Sequence, residues 1–447
     1  MLKKIITFVL IFISLNIFAQ SRKVIGYYPS WNKASFPANQ VKYEYLTHII
    51  HAFVYPTDDG SELVVPYGFE FPALISAAHQ KNVKVILGIG GWGQSNGFSP
   101  VVSDTAKRRK FINDVVEMCK VYGYDGVDLD WEYPKSNDRN NLTLLMKELK
   151  GELLKLNPSM TLSIAAPSTD WNNGYDWNEV KNILDWIGIM TYDFHGSWTN
   201  HSGHNSPLYT PKNDADGSVE QSFKYYIAKG IPSDKLCIGV GFYGWLFTSK
   251  SLYGASTAAS QITYTNIVPR LSSGWKYNWD SVSFVPYLTD PNNTQVLSYD
   301  DTLSVKYKCE YIKKNNIGGL IIWAIGQDKV GSTQPLLETV GNNLLKNVSG
   351  INEVIKPEEF ILQQNYPNPF NSQTHISFTL QDSRDIFKVK LSVFDLMGRE
   401  IDVIINDMMR KGSYKITYEP KKISSGIYYY SLSVNGNIFT RKMLYLK

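Results

Sequence analysis

The residues best suited to chemistry lie in one short stretch, YDGVDLDWEYP, which runs from Tyr124 to Pro134. Asp128, Asp130 and Glu132 occupy every second position of it. Because alternate side chains of a β-strand point to opposite faces, this spacing predicts a strand with three carboxyl groups on one face. Crowded and buried carboxyl groups repel one another and lose hydration, which raises the pKa of at least one of them. The pattern therefore indicates a site that keeps one carboxylic acid protonated near neutral pH.

Two other interpretations of this stretch fit its residues less well. An exposed polar strand face conflicts with the apolar Val127, Leu129 and Trp131, which alternate with the acids. A calcium loop requires a glycine and a distal glutamate at spacings that the stretch lacks. A buried set of acids remains the favoured interpretation.

The elements that must position these acids form a regular alternation from Lys23 onward. Short β-rich runs alternate there with segments long enough for helices. The candidate strands are Val24–Tyr28, Leu46–Val54, Lys84–Ile89, Gly126–Glu132, Thr161–Ala166, Trp186–Thr191, Leu236–Gly241 and Gly319–Trp323. This pattern predicts an α/β fold, a closed TIM (β/α)8 barrel, in which reactive residues lie at the C-terminal strand ends.

Two further regions interrupt or follow the alternation. Residues at about 246–299 are rich in Ser, Thr, Tyr and Asn, and so long a connection predicts a small α+β insertion between strands seven and eight. The barrel domain is expected to span residues 21–346, with a linker at 347–357. Residues 358–447 are helix-poor and punctuated by Gly, Asn and Ser, which predicts a C-terminal all-β sandwich.

The first 20 residues have the pattern of a secretory signal peptide. Lys3 and Lys4 precede an apolar run, and the small residue Ala19 follows it. The mature protein is therefore expected to be exported.

Composition and residue spacing exclude several other classes. A formal net charge of +4 gives no indication of nucleic-acid binding. The 3 cysteines are far apart, so buried free thiols are expected rather than a disulfide framework. No metal-ligand spacing links His48, His51 and His195, so no metal site is expected.

Polar and aromatic residues stand at the ends of three other candidate strands. The sixth ends in MTYDFHG, with Met190, Tyr192 and Asp193, and the eighth ends in IIWAIG, with Trp323. The third ends in GIGGWG, which leads to Trp92. In a parallel barrel these strand ends meet, so acids and aromatic rings are expected at one mouth.

These motifs carry a resemblance to a known family. YDGVDLDWE resembles the Asp-x-x-Asp-x-Asp-x-Glu signature of family 18 glycoside hydrolases, the chitinases and their relatives, with Asp125 at its first position. MTYD is similar to the family's Met-x-Tyr-Asp motif, and Trp323 resembles its last-strand tryptophan. The resemblance covers about residues 23–345, and the predicted insertion resembles that of the family's deep-cleft branch.

The resemblance implies a secreted chitinase that hydrolyses β-1,4 bonds between N-acetylglucosamine units with retention and without a cofactor. Glu132 would act as acid and then as base, while the substrate's acetamido group forms an oxazolinium intermediate. Asp130 would orient that group, Asp128 would share a proton with Asp130, and Tyr192 would bind the acetamido oxygen.

The resemblance also implies a set of substrate-binding residues. They are Asp193, Trp323, Met190, Trp92, Tyr243, Tyr27 and Phe53. The chain departs from the family pattern at Gly88, where a serine usually supports Asp128; Tyr27 is the other family partner of that acid. Gly241 and Trp245 stand where many relatives have Pro and Arg.

Two other functions stay open. One is a non-catalytic chitin-binding lectin, although such proteins lose the acid that Glu132 retains. The other is an endo-β-N-acetylglucosaminidase acting on N-glycans. The expected partners are chitin or chitooligosaccharides, and a monomer is expected.

The C-terminal segment carries its own motifs. QNYPNPFN, DLMGRE, SSGIYYYSL and the basic end RKMLYLK occur in an order that resembles the type A C-terminal sorting domain of the type IX secretion system. This resemblance implies the type IX machinery as a partner and a secreted or cell-surface location. A carbohydrate-binding β-sandwich is the alternative.

Overall fold

A computed structural model of the full chain describes two compact units, one up to residue 345 and one from residue 360. The described residues are 22–212, 214–345, 360–380, 386–395, 399–421, 423–434 and 437–447. The predicted signal peptide at 1–20 and the predicted linker at 347–357 lie outside them. Within those ranges no helix is both long and apolar enough to cross a membrane.

Eight parallel strands close into the barrel that the alternation predicted. Numbered one to eight in chain order, they are Lys23–Pro29, His48–Pro56, Lys84–Gly90, Gly126–Asp130, Thr161–Ala166, Trp186–Ile189, Leu236–Gly241 and Gly319–Trp323. Successive strands pair with one another and strand eight pairs with strand one, while the short strand Leu63–Val64 adds to the end of strand two. Closure brings all eight C-terminal strand ends to one mouth.

Helices surround the barrel and connect its strands. They are Pro72–Gln80, Phe98–Ser103, Thr105–Tyr122, Arg139–Leu156, Trp177–Ile183, Val219–Ala228, Thr302–Lys314 and Pro335–Leu344. Short 3₁₀ helices lie at Ser30–Asn32, Ala38–Gln40, Tyr43–Tyr45, Ser233–Lys235 and Val268–Ser272. Local sequence sets the helix ends: the Asp104 carboxylate caps one start by accepting the Ala106 and Lys107 N–H groups, and Gly123 ends the same helix at a left-handed φ of 77°.

The main core lies between the barrel strands and the helices. Val127, Leu129 and Trp131 belong to it, so strand four shows its apolar face to the helices and its acids to the interior. The three cysteines, Cys119, Cys237 and Cys309, are buried free thiols, as predicted.

The predicted α+β insertion follows strand seven. It is an antiparallel sheet with the strand order Ala259–Thr263, Tyr243–Thr248, Gln295–Tyr299, Val285–Thr289 and Lys276–Asp280, together with the short helix Tyr264–Ile267. Its sheet begins at Tyr243 rather than near residue 246, because Tyr243 already pairs with Thr263. Tyr243 and Trp245 are therefore insertion residues close to the barrel mouth.

The C-terminal unit is all-β, as predicted. One antiparallel sheet has the order Phe360–Leu362, Thr374–Leu380, Gly412–Tyr418, and the other has the order Glu400–Arg410, Ile386–Phe394, Gly426–Val434, Asn437–Tyr445. Buried residues of both sheets, such as Phe378 and Leu391, share one core. Two sheets packed face to face over a common core form a sandwich.

Candidate active site

The acids of strand four lie at the C-terminal mouth of the barrel. Asp128 and Asp130 are buried in the interior, at 1% and 4% exposure. Glu132 follows the last strand residue by two positions, and its backbone N–H donates to Ser95 Oγ at 2.9 Å. Ser95 lies on the loop after strand three, so a neighbouring loop holds the Glu132 backbone at the mouth.

Two hydroxyl groups hold Asp128. Tyr27 donates to Oδ2 at 2.8 Å, and Ser163 of strand five donates to Oδ1 at 2.5 Å. Gly88 flanks Asp128 on strand three, where an added Cβ would meet Ile50 Cγ2 at 2.8 Å, so a serine there would require the Ile50 side chain to shift. Ser163 thus supplies the second hydroxyl, and sequence reasoning missed it. Burial raises the pKa of Asp128 to about 6 although both donors lower it.

Asp130 and Glu132 hold protons more strongly than isolated acids do. Burial, with the charges of Glu132 and Asp128, raises the pKa of Asp130 well above its ordinary value. Burial raises the pKa of Glu132 to about 7, where a hydrogen bond from Tyr133 opposes the shift and the Asp193 charge reinforces it. Asp130 Oδ1 is buried and accepts no hydrogen bond from any described residue. The site therefore offers a protonated acid beside an unsatisfied carboxylate oxygen.

Asp125, the first acid of the motif, has a different role. Its carboxylate accepts the Val85 N–H at 2.8 Å and pairs with Lys84 and His79. Lys84 and Val85 lie at the N-terminal start of strand three, and His79 lies near the end of the helix before it. The placement agrees with a supporting role outside the site.

The insertion holds Asp193, on the loop after strand six. The Tyr243 hydroxyl and Trp245 Nε1 both donate to Asp193 Oδ1, at 2.7 and 2.8 Å. Its N–H donates to Asn205 Oδ1, and its backbone has a left-handed φ of 58°. Trp245, which departs from the family pattern, is therefore a direct partner of a predicted site residue.

Trp323 and Met190 pack between two buried groups of side chains at the mouth, one that contains Tyr27 and Phe53 and one that contains Tyr192 and Tyr243. The Trp323 ring stacks on Phe53 with centroids 5.8 Å apart and lies 5.5 Å from Tyr27. Both Trp323 and Met190 also pack against the group that contains Tyr192. Phe53 is only 5% exposed, so it supports Trp323 rather than offering an open face of its own.

Four exposed tryptophans surround the mouth on loops after strands one, three, five and six. They are Trp31, Trp92, Trp171 and Trp198. Trp92 is 79% exposed; Trp31 packs against Trp323, and Trp198 packs edge-on against Trp245. Exposed aromatic faces suit stacking on sugar rings. Sequence reasoning named only Trp92, although each of the others also follows a predicted strand end by a few residues.

A protonated Glu132 beside the aromatic ring of Trp323 is suited to acid-catalysed cleavage of a sugar linkage. Together, the fold and the site define a (β/α)8-barrel glycoside hydrolase. Sequence comparison gives the particular family. The chain belongs to the glycosyl hydrolases family 18, whose family model matches residues 23–328.

The chain is also similar to three named proteins. Chitinase A1 of Niallia circulans is 34% identical over 297 residues, which are 58% of this chain and 42% of that protein, so the chain spans less than half of that relative. Catalytic domain 2 of an Ostrinia furnacalis Group II chitinase superposes with a TM-score of 0.68 at 29% identity, covering 72% of this chain and 96% of that one. A family 18 N-acetylglucosaminidase from Paenibacillus barengoltzii gives 0.65 at 28% identity, covering 72% and 100%.

The C-terminal unit matches a second family model. Residues 364–445 match the secretion system C-terminal sorting domain. This match indicates a secreted or cell-surface protein.

Proposed function

We propose that this protein is a chitinase that hydrolyses β-1,4 bonds between N-acetylglucosamine units with retention, using the substrate's acetamido group as the nucleophile. The observation that carries the proposal is Asp130, whose buried Oδ1 has no partner within the described residues. A buried, unpaired acceptor is costly, and a substrate acetamido N–H would satisfy it. No second enzyme nucleophile is needed in such a mechanism.

The reaction proceeds in two steps. Glu132 donates its proton to the glycosidic oxygen while the acetamido oxygen attacks the anomeric carbon, the glycosidic bond breaks, and an oxazolinium ion forms. The Glu132 carboxylate then takes a proton from water, whose oxygen opens the intermediate at the anomeric carbon. Two inversions give net retention. Tyr192 binds the acetamido oxygen, and Asp193 and Trp323 hold the sugar.

The remaining mouth residues bind neighbouring sugars. Trp92 and Met190 contact the sugar units on either side of the cleaved bond. Tyr243 positions Asp193 through its hydrogen bond. Tyr27 supports Asp128, and Phe53 supports the Trp323 ring. The protein acts on chitin or chitooligosaccharides as a monomer, and its C-terminal unit is recognised by the type IX secretion machinery.

Products from chitohexaose test the proposal. The full chain should release di- to tetrasaccharides first, with the β-anomer in excess when products are followed by proton NMR from the first seconds. Initial release of the α-anomer would exclude retention. Cleavage of N-glycans without cleavage of chitohexaose would favour the endo-β-N-acetylglucosaminidase alternative, and absence of turnover on every N-acetylglucosamine polymer or glycan would favour a lectin.

Ser163→Ala should move the acidic limb of kcat/KM to higher pH. The Asp128–Asp130 pair must keep one negative charge, and loss of the Ser163 donor raises the pKa of Asp128, so the pair is protonated at a higher pH. The expected shift is about one to two pH units, since hydrogen bonds to charged groups contribute about 1.5–3 kcal/mol. The measurement is kcat/KM against pH on a chromogenic oligomer.

The matched variant is Ser163→Thr, which keeps a hydroxyl group at the same position. Its acidic limb should stay near that of the wild-type protein. An unchanged limb in Ser163→Ala would show that this hydroxyl does not position Asp128.

A further inference from the structure

Four potential metal ligands converge in the loop region that follows strand six. His195, His201, Asp214 and Asp216 each direct one nitrogen or oxygen atom to a common point, with all four atoms within 4.8 Å of one another. None of them takes part in the sugar chemistry proposed above. Sequence spacing did not reveal them as a set.

The hydrogen bonds of the two imidazole rings leave both Nε2 atoms facing this point. His195 Nδ1 lies 2.9 Å from the His204 carbonyl oxygen, which can only accept, so Nδ1 carries a proton and Nε2 is left to hold a second proton or to bind a cation. His201 Nδ1 lies 3.1 Å from Asn200 Oδ1, which assigns the same tautomer. The two Nε2 atoms are 3.2 Å apart. Two unprotonated nitrogens at that distance repel each other, so the pair requires a proton or a metal ion.

Asp214 gives an independent sign of a missing partner. Its Oδ1 accepts the Asp216 N–H at 3.0 Å. Its Oδ2 belongs to a side chain that is only 3% exposed, lies 2.7 Å from His195 Nε2, and accepts no hydrogen bond of good geometry. A buried carboxylate oxygen at this distance from an imidazole nitrogen requires a positive charge, which either a proton on that nitrogen or a bound cation supplies.

Several distances within the cluster are close to those of a tetrahedral site. Ligand atoms bound about 2.0–2.2 Å from a tetrahedral Zn²⁺ lie about 3.3–3.6 Å from one another. Asp216 Oδ2 is 3.3 Å from His195 Nε2 and 3.4 Å from His201 Nε2, and Asp214 Oδ2 is 3.8 Å from His201 Nε2. Two contacts are shorter than this range: the two Nε2 atoms are 3.2 Å apart, just below it, and Asp214 Oδ2 lies 2.7 Å from His195 Nε2.

We propose that His195, His201, Asp214 and Asp216 bind one Zn²⁺ ion as a structural site. Two imidazoles with two carboxylates suit Zn²⁺, whereas Ca²⁺ and Mg²⁺ prefer oxygen ligands alone. His201 and Asp216 are 32% and 45% exposed, which leaves a path for the ion from solvent.

The ion would stabilise the conformation of the loop that carries Asp193 and Trp198. Asp193 lies two residues before His195, and Trp198 lies between His195 and His201. His204, whose carbonyl oxygen orients His195, also pairs through its own ring with Asp280 of the insertion. The site therefore connects the strand-six loop with the insertion.

Metal content of the full chain tests the proposal. The tag-free protein is stripped with a chelator, exposed to ZnCl₂ and dialysed, and its zinc is measured by plasma mass spectrometry and by calorimetric titration. The wild-type protein should hold about one zinc per chain, and millimolar Ca²⁺ or Mg²⁺ should not displace it. His201→Asn and Asp216→Asn, each at a partly exposed position, should bind zinc at least about 10-fold more weakly.

His79→Asn is the matched control. His79 also contacts a carboxylate, that of Asp125, but Lys84 completes that pair. The control should bind zinc like the wild-type protein, and zinc should raise the unfolding temperature of both but not of the ligand variants. Without zinc, the unfolding temperatures of the ligand variants should be close to that of the metal-free wild-type protein. Absence of zinc binding by the wild-type chain, or equal affinity in His201→Asn, would overturn the proposal and indicate a shared proton instead.

Discussion

Glu132→Gln is expected to lower kcat by at least about 100-fold while the affinity for chitooligosaccharides stays within a few-fold of wild type. General acid–base groups contribute about 10²–10⁴-fold to rates, and Glu132 is assigned both proton transfers. Glutamine keeps the shape of the side chain but cannot donate a proton as an acid. The measurements are kcat on chitohexaose and binding by calorimetry.

The pH dependence gives a second readout for the same residue. Burial raises the pKa of Glu132 to about 7, so the group is mainly protonated below pH 7 and loses its proton as the pH rises through that value. The kcat/KM of the wild-type protein should therefore fall above about pH 7, and the residual activity of Glu132→Gln should lack this basic limb.

Glu117→Gln serves as the control, since Glu117 is exposed on an outer helix beside Lys120. It should keep wild-type kcat and pH dependence. Wild-type turnover by Glu132→Gln would show that another group supplies the proton.

Lys308→Met is expected to reduce the free energy of unfolding of the barrel by about 3–5 kcal/mol, as seen when one partner of a buried ion pair is removed. Lys308 and Asp300 are both fully buried, with Nζ 2.6 Å from Oδ2. Lys308 also donates to Ser206 Oγ at 2.7 Å, and Ser206 donates to the Thr191 carbonyl oxygen. The pair thus connects a helix before strand eight with the loop after strand six.

Urea unfolding followed by tryptophan fluorescence measures this change. All 11 tryptophans lie in the barrel unit, so the signal reports that unit and not the C-terminal sandwich. The double variant Lys308→Met/Asp300→Asn leaves no buried charge and should be less destabilised than Lys308→Met alone. A loss below about 1 kcal/mol in Lys308→Met would show that Asp300 is accommodated without its partner.

The acid motif and the barrel could be predicted because their signals are local. The spacing of Asp128, Asp130 and Glu132 matches the two-residue period of a strand, and alternating strands and helices specify the barrel class. Met190, Tyr192, Asp193 and Trp323 could be predicted as mouth residues because each lies at or just after the C-terminal end of a predicted strand.

The C-terminal sandwich was predicted in kind but with strands missing. The sequence predicts strands at Val389–Phe394, Ser413–Tyr418, Gly426–Val434 and Ile438–Leu446. It does not predict those at Phe360–Leu362, Thr374–Leu380 and Glu400–Arg410. Glu400–Arg410 has no fully buried side chain, so it lacks the clear alternation of apolar and polar residues that marks a strand in sequence.

By itself the sequence determined the strand period, the order of the elements and the residues at the strand ends, because each depends on neighbours along the chain. Only the tertiary structure decided which groups complete the site. Ser163 reaches Asp128 across 35 positions and Trp245 reaches Asp193 across 52, while His195 and His201 meet Asp214 and Asp216 only where the loop folds back. Such contacts depend on how strands align around a closed barrel and how loops return to it, and no local period encodes either.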